Sequence, residues 1–319
     1  MESRGTLLTM PGELKRVVIA GGSGVLGRLL GRHLVSRGAR VTVLTRSGGG
    51  DEAFERVAWD GRTLGGWSAC LEGASGLVNL CGRSVDCIKS PDHCDEILRS
   101  RVESTRVLGE AMRRACAPPP VWVQMSTAHI YGDPPRARCD ESSALGYGLA
   151  PTVGRAWEEA FCAALPPGVR GVVLSTGFVL AKEGGALKKL GMLARLGLGG
   201  TVGAGDQGMS WIHAGDLNRI FERALRHPGM AGVYVASSPR PVSNREFMRE
   251  LRRAAGVPFG LPAPEWIVRL ASRVLLRTDP DLALYGRYVV PVRLAEEGFE
   301  FEYGEIGGAL DAIYRSSAG

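Results

Sequence analysis

The sequence predicts an α/β protein: a doubly wound parallel sheet joined to a smaller C-terminal α/β lobe. Three observations carry this. A β-branched run, Arg16–Ala20, stops at a glycine cluster, and a helical pattern runs from Arg28 to Ser36. Further short apolar runs, several ending in glycine or hydroxyl residues, are separated by helical stretches as far as Leu180. From Gly229 onward the pattern changes to short strands, helices near Glu246–Ala255 and Glu265–Leu276, and turns marked by Pro239, Pro241, Pro258, Pro262 and Pro264. The expected division is 14–180 for a nucleotide-binding unit, its sheet completed by part of 209–236, and 181–319 for a substrate loop and the C-terminal lobe.

The first strand and turn set the function. Glycines at Gly21, Gly24 and Gly27 allow a sharp turn and close approach of another group to the backbone. Ser23, Val25 and Leu26 complete a loop whose amides would face a pyrophosphate at a helix N-terminus. A strand, a GxxGxxG turn and a helix in that order form the context of a Rossmann dinucleotide fingerprint.

The second strand, Arg40–Arg46, ends where NAD-binding sheets place a carboxylate against the adenosine ribose. Here Thr45-Arg46-Ser47 stands in that place. A guanidinium and two hydroxyls bind a 2′-phosphate that a carboxylate would repel, so the expected cofactor is NADP(H). A short strand follows at Arg56–Trp59, then Leu77-Val78-Asn79, which ends in Leu80-Cys81-Gly82 at the cofactor edge. The helix expected over Asp95–Cys116 has Ile97, Val102, Thr105, Leu108 and Met112 as its apolar stripe. Arg101 lies off that stripe, within reach of the cofactor phosphates. Pro118-Pro119-Pro120 ends the helix. The strand Val121–Met125 then carries Ser126 and Thr127 at its carboxyl end, the position for chemistry in such sheets.

A helix through Trp157–Ala164 and a strand over Val169–Leu180, broken at Gly177, come next. The glycine-dense stretch Glu183–Gly208 reads as a lid or substrate loop. Trp211-Ile212-His213 closes it before a helix that Asp216 leads, which puts Trp211 and His213 at a substrate surface. In the last lobe Arg269, Arg273 and Arg277 recur every four residues, a solvated face opposite Ile267, Leu270 and Val274.

Composition narrows the setting. Among 319 residues, 45% are hydrophobic and 23% charged, an ordinary globular balance. The net charge of +6 suits a phosphate-bearing small molecule. Basic residues never form a block, which argues against nucleic acid. Seven cysteines without a CxxC pair point to reduced thiols and a cytoplasmic setting. Cys87, His93 and Cys94 do not make a zinc site, since adjacent ligands crowd one tetrahedral ion and a fourth is missing. Met1–Leu14 has no apolar core of a signal peptide, and no apolar run is long enough for a membrane span.

Taken together, the GxxGxxG opening, Asn79-Leu80-Cys81-Gly82 and Ser126 through Tyr131-Gly132 resemble an extended short-chain dehydrogenase/reductase. Within the NAD-dependent epimerase/dehydratase superfamily, the chain is most similar to the branch called epimerase family proteins. Ser100-Arg101-Val102, Trp157-Glu158, the glycine-rich run ending in Ser210-Trp211-Ile212-His213, Val289–Leu294 and Gly298–Phe301 match that branch over nearly the whole chain. The resemblance implies an NADP-binding Rossmann fold with cofactor contacts at Thr45, Arg46, Leu80, Cys81 and Arg101. It also implies a small-molecule substrate of the nucleotide-sugar kind. Ser175 departs from the family's usual Arg.

The wider superfamily uses Ser/Thr with a Tyr-x-x-x-Lys pair, in which Lys lowers the Tyr pKa. No tyrosine here is followed by lysine four residues on, and no lysine occurs between Lys89 and Lys182. Ser126, Thr127 and Tyr131 are the expected catalytic set, with Tyr147 and His213 as other proton donors and Arg155 as a ribose contact. Two readings stay open: an NADP(H)-dependent oxidoreductase or epimerase with a non-standard acid, and a non-catalytic NADP(H) sensor. Arg46→Ala is expected to weaken NADPH by about 1.5–3 kcal/mol, the worth of a charged hydrogen bond, and NADH far less. Titration of both cofactors checks this; equal losses would remove the 2′-phosphate argument.

Overall fold

The structure is a computed structural model that describes residues 14–46, 53–134, 136–274 and 277–315. Strand β1 (Arg16–Ala20) leads into α1 (Val25–Ser36), β2 (Arg40–Thr45), β3 (Glu55–Ala58) and β4 (Gly76–Asn79). Helix α2 (Pro91–Arg114), β5 (Val121–Thr127), the short β6 (Arg138–Cys139), α3 (Leu149–Ala164) and β7 (Arg170–Thr176) follow. Helix α2 begins earlier than periodicity alone indicates. Pro91 fits the first helical turn, and the Ser90 hydroxyl accepts the His93 amide at 3.2 Å.

Beyond β7 come β8 (Phe178–Leu180), α4 (Ala186–Leu193), β9 (Gly208–Met209), β10 (Trp211–His213), α5 (Ala214–Arg226) and β11 (Gly232–Ala236). The chain ends with β12 (Val242–Ser243), α6 (Asn244–Ala254), α7 (Glu265–Val274), α8 (Asp281–Leu284), β13 (Tyr288–Val289), α9 (Val292–Glu296) and α10 (Ile306–Arg315).

Seven strands form one parallel sheet in the order β11-β7-β5-β4-β1-β2-β3. It is doubly wound. The chain runs outward from β1 to β3, then returns to lay β4 against the other side of β1. The strand order therefore reverses between β1 and β4, which opens a crevice above their carboxyl ends. Burial on both faces explains the near-continuous apolar strands. Val17 and Ile19 face α1 and α5, packing with Leu30, Leu34, Ile220 and Phe221. Val18 and Ala20 face α2 and α3, packing with Leu108, Met112, Trp122 and Phe161.

Gly177 diverts the chain. A Cβ there would lie 2.7 Å from the Ser210 carbonyl oxygen, and the Phe178 amide donates to that same oxygen at 2.7 Å. Strand β8 thus leaves the main sheet and pairs with β10 in the C-terminal lobe. That lobe has its own core of Leu180, Leu187, Trp211, Phe247, Leu251 and Leu310.

Two expectations change. The stretch Glu183–Gly208 is not all loop: it contains α4, whose Leu187 and Gly191 are buried. In α7 the supposed inward face points outward, with Leu270 60% and Val274 73% exposed. Instead Val268 and Ser272 turn inward, and Arg269 pairs at the surface with Asp281 of α8 at 3.5 Å.

A buried carboxylate of α5 also holds the tail. Asp216 accepts the amides of Glu302 and Tyr303 at 3.0 and 2.9 Å and pairs with Arg219 at 2.9 Å. Asp216→Ala strands both amides and is expected to cost about 2–4 kcal/mol in urea unfolding. A change below about 0.5 kcal/mol would show the tail is held otherwise.

Candidate functional site

The first turn is built by steric necessity. Gly21 adopts φ +76°, and a Cβ there would meet the Leu80 and Cys81 backbone at 3.0 Å. A Cβ on Gly27 would lie 2.3 Å from Gly22 Cα, so helix α1 sits directly against the end of β1. Gly24 is different. It is the N-cap of α1, makes no side-chain capping bond, and has only the Gly21 oxygen near its Cβ position, at 3.6 Å. No acidic residue occupies the first turn of α1. The amides of Val25, Leu26 and Gly27 thus belong to a helix start that is open at Gly24 and carries no acidic residue of its own to compete for them. Ser23 contributes its carbonyl, which accepts Arg28 Nη1 at 2.6 Å. Gly184 lies over the turn, its Cβ position 2.9 Å from Val25 Cγ2, and Arg32 holds the neighbouring Glu183 at 3.0 Å.

A groove of about 520 Å³ opens at the ends of β2 and β3. Arg46, Ala58, Trp59, Asp60, Leu64 and Trp67 line it. Thr45 is buried immediately before Arg46, and its carbonyl accepts the Trp59 amide at 3.0 Å. Asp60 is locked by the Thr63 hydroxyl and the Arg62 and Thr63 amides, which hold its carboxyl down at about 2. Ser47 lies outside the described residues.

At the end of β4, the Leu80 amide donates to Ala20 and the Cys81 amide to Asn79 Oδ1, at 2.9 and 3.0 Å. Burial pushes the Cys81 thiol up to about 12, although the Ser104 hydroxyl and the positive charge of Arg46 act against it. Gly82 has no room for a Cβ, which would sit 2.9 Å from Arg101 Cζ. The Arg101 guanidinium donates to the Arg83 and Ile97 carbonyls at 3.1 and 2.9 Å and stacks 5.0 Å from the Trp157 ring. Burial pulls its pKa down to about 10. Among the described residues neither Arg46 nor Arg101 makes an ion pair. Two cations, one of them largely buried, therefore stand beside the crevice without an ion-pair partner among the described residues, although Asp60 shares the groove with Arg46.

A polar network ties the elements beneath. Asn79 Nδ2 donates to Gln124 Oε1 and Thr105 Oγ1, at 3.0 and 3.1 Å, and Trp157 Nε1 donates to the same Thr105 oxygen at 3.1 Å. One cluster so joins β4, β5, α2 and α3.

The ends of β5 and β7 lie side by side, with Ser126 opposite Ser175. Ser126 Oγ donates to Glu158 Oε1 of α3 at 2.5 Å, and Ser175 Oγ reaches the same oxygen at 3.5 Å. Burial raises the Glu158 pKa despite these two donors. Thr127 Oγ1 caps the following turn by accepting the His129 amide at 3.2 Å. Tyr131 is buried on that turn, and burial with the nearby Glu141 and Glu158 carboxylates drives its pKa above the ordinary phenol value. Burial lowers His129 to about 3, so it is neutral.

Several expected residues are elsewhere. Trp211 is fully buried in the C-terminal core, where its indole N–H donates to the Arg240 carbonyl at 3.1 Å. His213 caps α5, accepting the Gly215 amide at 3.1 Å, and stacks on Tyr303. Trp211 is thus sealed from any substrate surface, while His213 spends Nδ1 on the α5 cap and one ring face on Tyr303. Tyr147 is 95% exposed and Arg155 points to solvent. Glu158 and the Trp59–Trp67 groove escaped derivation from the residues alone. A carboxylate on a helix face otherwise made of Val153, Trp157 and Phe161 was the available signal for the first.

Residues 17–236 match the NAD dependent epimerase/dehydratase family, and 263–313 match a domain of unknown function, DUF1731. The chain belongs to the NAD-dependent epimerase/dehydratase family. Human epimerase family protein SDR39U1 is 33% identical over 93% of this chain and 99% of its own length. The chloroplastic SDR39U1 homologue of Arabidopsis thaliana is 32% identical over 93% of this chain and 86% of its own. The crystal structure of human SDR39U1 (isoform 2) with NADPH superimposes with a TM-score of 0.84, at 31% identity, covering 94% of this chain and 99% of that one. UDP-N-acetylglucosamine 4-epimerase from Bacillus cereus shares the fold, with a TM-score of 0.76 at 17% identity over 96% of this chain and 100% of that one. No described helix is long and apolar enough to cross a membrane.

The two glycines separate by substitution. Gly27→Ala is expected to destabilise the protein by about 1–3 kcal/mol through overpacking. Gly24→Ala, at an open N-cap position, should cost less than about 1 kcal/mol. Urea denaturation of both variants checks the order, and equal losses would contradict the described turn.

Proposed function

We propose that this protein binds NADP(H) and acts as an oxidoreductase or nucleotide-sugar epimerase that works without the usual Tyr-x-x-x-Lys pair. The observation that carries the reading is the pairing of an open, uncapped helix start at Gly24 with two guanidinium groups, Arg46 and Arg101, that make no ion pair among the described residues beside the crevice. The diphosphate would lie on the amides of the first turn, from Ser23 to Gly27. Arg46, with Thr45 and Ser47, would take the 2′-phosphate, and the adenine would enter the Trp59–Trp67 groove. Leu80, Cys81 and Gly82 would form the floor under the nicotinamide half, with Arg101 offering charge from behind Gly82. The presence of NADPH in the human SDR39U1 structure supports this cofactor.

Bound NADP(H) supplies or withdraws a hydride. The chain's part is to hold the substrate over the ends of β5 and β7 and to manage a proton there. Ser126, Thr127 and Tyr131 stand at that place, but Tyr131 has a raised pKa and is a poor base. Cytoplasmic localisation fits the seven unpaired cysteines. A second reading, a non-catalytic NADP(H) sensor, is favoured by that same missing phenol–lysine pair and by the solvent position of Tyr147.

Single-turnover oxidation of bound NADPH against nucleotide sugars, ketones and quinones separates the two. Stoichiometric oxidation by one panel member, lost in Ser126→Ala and in Thr127→Ala, is expected. Tight binding without oxidation favours the sensor, and no binding contradicts both. Gly24→Ala is expected to weaken NADPH at least tenfold, about 1.4 kcal/mol, while folding normally. Unchanged affinity would remove the diphosphate from the first turn.

A further inference from the structure

The carboxyl group of Glu158 has an unusual setting. It projects from α3 toward the carboxyl ends of β5 and β7, and its Oε1 lies between the hydroxyls of Ser126 and Ser175, residues paired across adjacent parallel strands. Among the described residues it makes no ion pair. Glu158 is only partly withdrawn from water, yet a carboxylate so placed is costly unless a cation or several donors compensate it, and two serine hydroxyls compensate only in part. The titratable groups around it offer no substitute. Tyr131 and His129 stand on the turn after β5, the first with a raised pKa and the second neutral. Cys162, one turn further along α3, is pushed up by burial and by Glu158 itself. Arg101 of α2 is stacked on the neighbouring Trp157 and donates to backbone carbonyls instead. Arg155 and Glu159, on α3 itself, are exposed.

We propose that Glu158 is the proton store of this site, holding its proton as a neutral acid and exchanging it through Ser126 Oγ with a substrate oxygen over the ends of β5 and β7. This rests on the cofactor reading above. When a reduced nicotinamide dinucleotide gives a hydride to a substrate carbonyl carbon, the C=O π pair moves to oxygen. That oxygen takes the Ser126 hydroxyl proton as its new O–H bond forms and the serine O–H breaks. Ser126 is restored by the Glu158 proton, and the carboxylate left behind is reprotonated from water. In the oxidative direction each transfer reverses. Glu158 acts through Ser126, so it is a positioning and proton-holding residue rather than one that touches substrate. Ser175 keeps the carboxyl aimed at Ser126. The arrangement supplies a proton-holding group in place of the absent phenol–lysine pair, one whose proton affinity burial raises above that of an ordinary carboxylic acid.

Infrared titration of the cofactor-free protein, wild type minus Glu158→Gln, tests the store directly. The Glu158 carboxyl band is expected to persist above the ordinary carboxylic-acid range, because burial disfavours the charged form. Ser175→Arg, which brings a cation to the same oxygen, should move the midpoint down by at least about one pH unit. A wild-type midpoint near the ordinary 4.5 would overturn the proposal. The delivery step is read from the oxidation of NADPH by phenanthrenequinone across pH. The rate should fall above the infrared midpoint, lose that limb in Glu158→Gln and regain it in Glu158→Asp. A profile unmoved by Glu158→Gln, or no oxidation while NADPH binds tightly, would overturn delivery. Failure to bind NADPH would count against the cofactor reading alone, since the infrared midpoint is measured without it.

Discussion

The contact between Gly22 and Gly27 is the constraint on which the rest of the site depends. A Cβ on Gly27 would lie 2.3 Å from Gly22 Cα, closer than any side chain allows. That approach fixes where α1 begins, and so fixes the direction in which its first amides point. Gly21 turns the chain beside Leu80 and Cys81 and brings the ends of β1 and β4 together. The sheet reverses its winding at this same pair of strands. Helix start, crevice and floor are therefore consequences of one packing event rather than three separate features.

Below the crevice the polar cluster of Asn79, Thr105, Gln124 and Trp157 supplies rigidity. Each member is buried, and each makes a hydrogen bond within the cluster. Such networks hold their elements in register because any slip strands a buried polar atom. Trp157 carries the effect in two directions. Its ring supports the Arg101 guanidinium, and its helix neighbour Glu158 reaches the Ser126–Ser175 pair. The two halves of the site, one cationic and one acidic, are thereby set by the same turn of α3.

Much of this was legible in the residues. Glycine spacing after a β-branched strand locates the turn, and the strand-end residues Arg46, Gly82 and Ser126 fall at the carboxyl edge because parallel strands expose that edge together. Local pattern fails where a side chain's partner is distant in sequence. Trp211 and His213 look like cleft residues in a glycine-rich setting, yet their partners Arg240 and Tyr303 absorb them into the C-terminal lobe. The helix α7 stripe reads as a buried face, yet the side that packs is that of Val268 and Ser272. Periodicity shows Glu158 as a carboxylate beside an apolar helix face, but its meaning comes from Ser126 and Ser175, which only the sheet register brings side by side.

The central claim is that a dinucleotide with a 2′-phosphate lies across the β1–β4 crevice. A crystal structure of the protein grown with NADPH tests it most directly. The account predicts the diphosphate within hydrogen-bonding distance of the first amides of α1 and the 2′-phosphate on the Arg46 guanidinium. A dinucleotide bound away from the first turn, or with its 2′-phosphate free of Arg46, would contradict it.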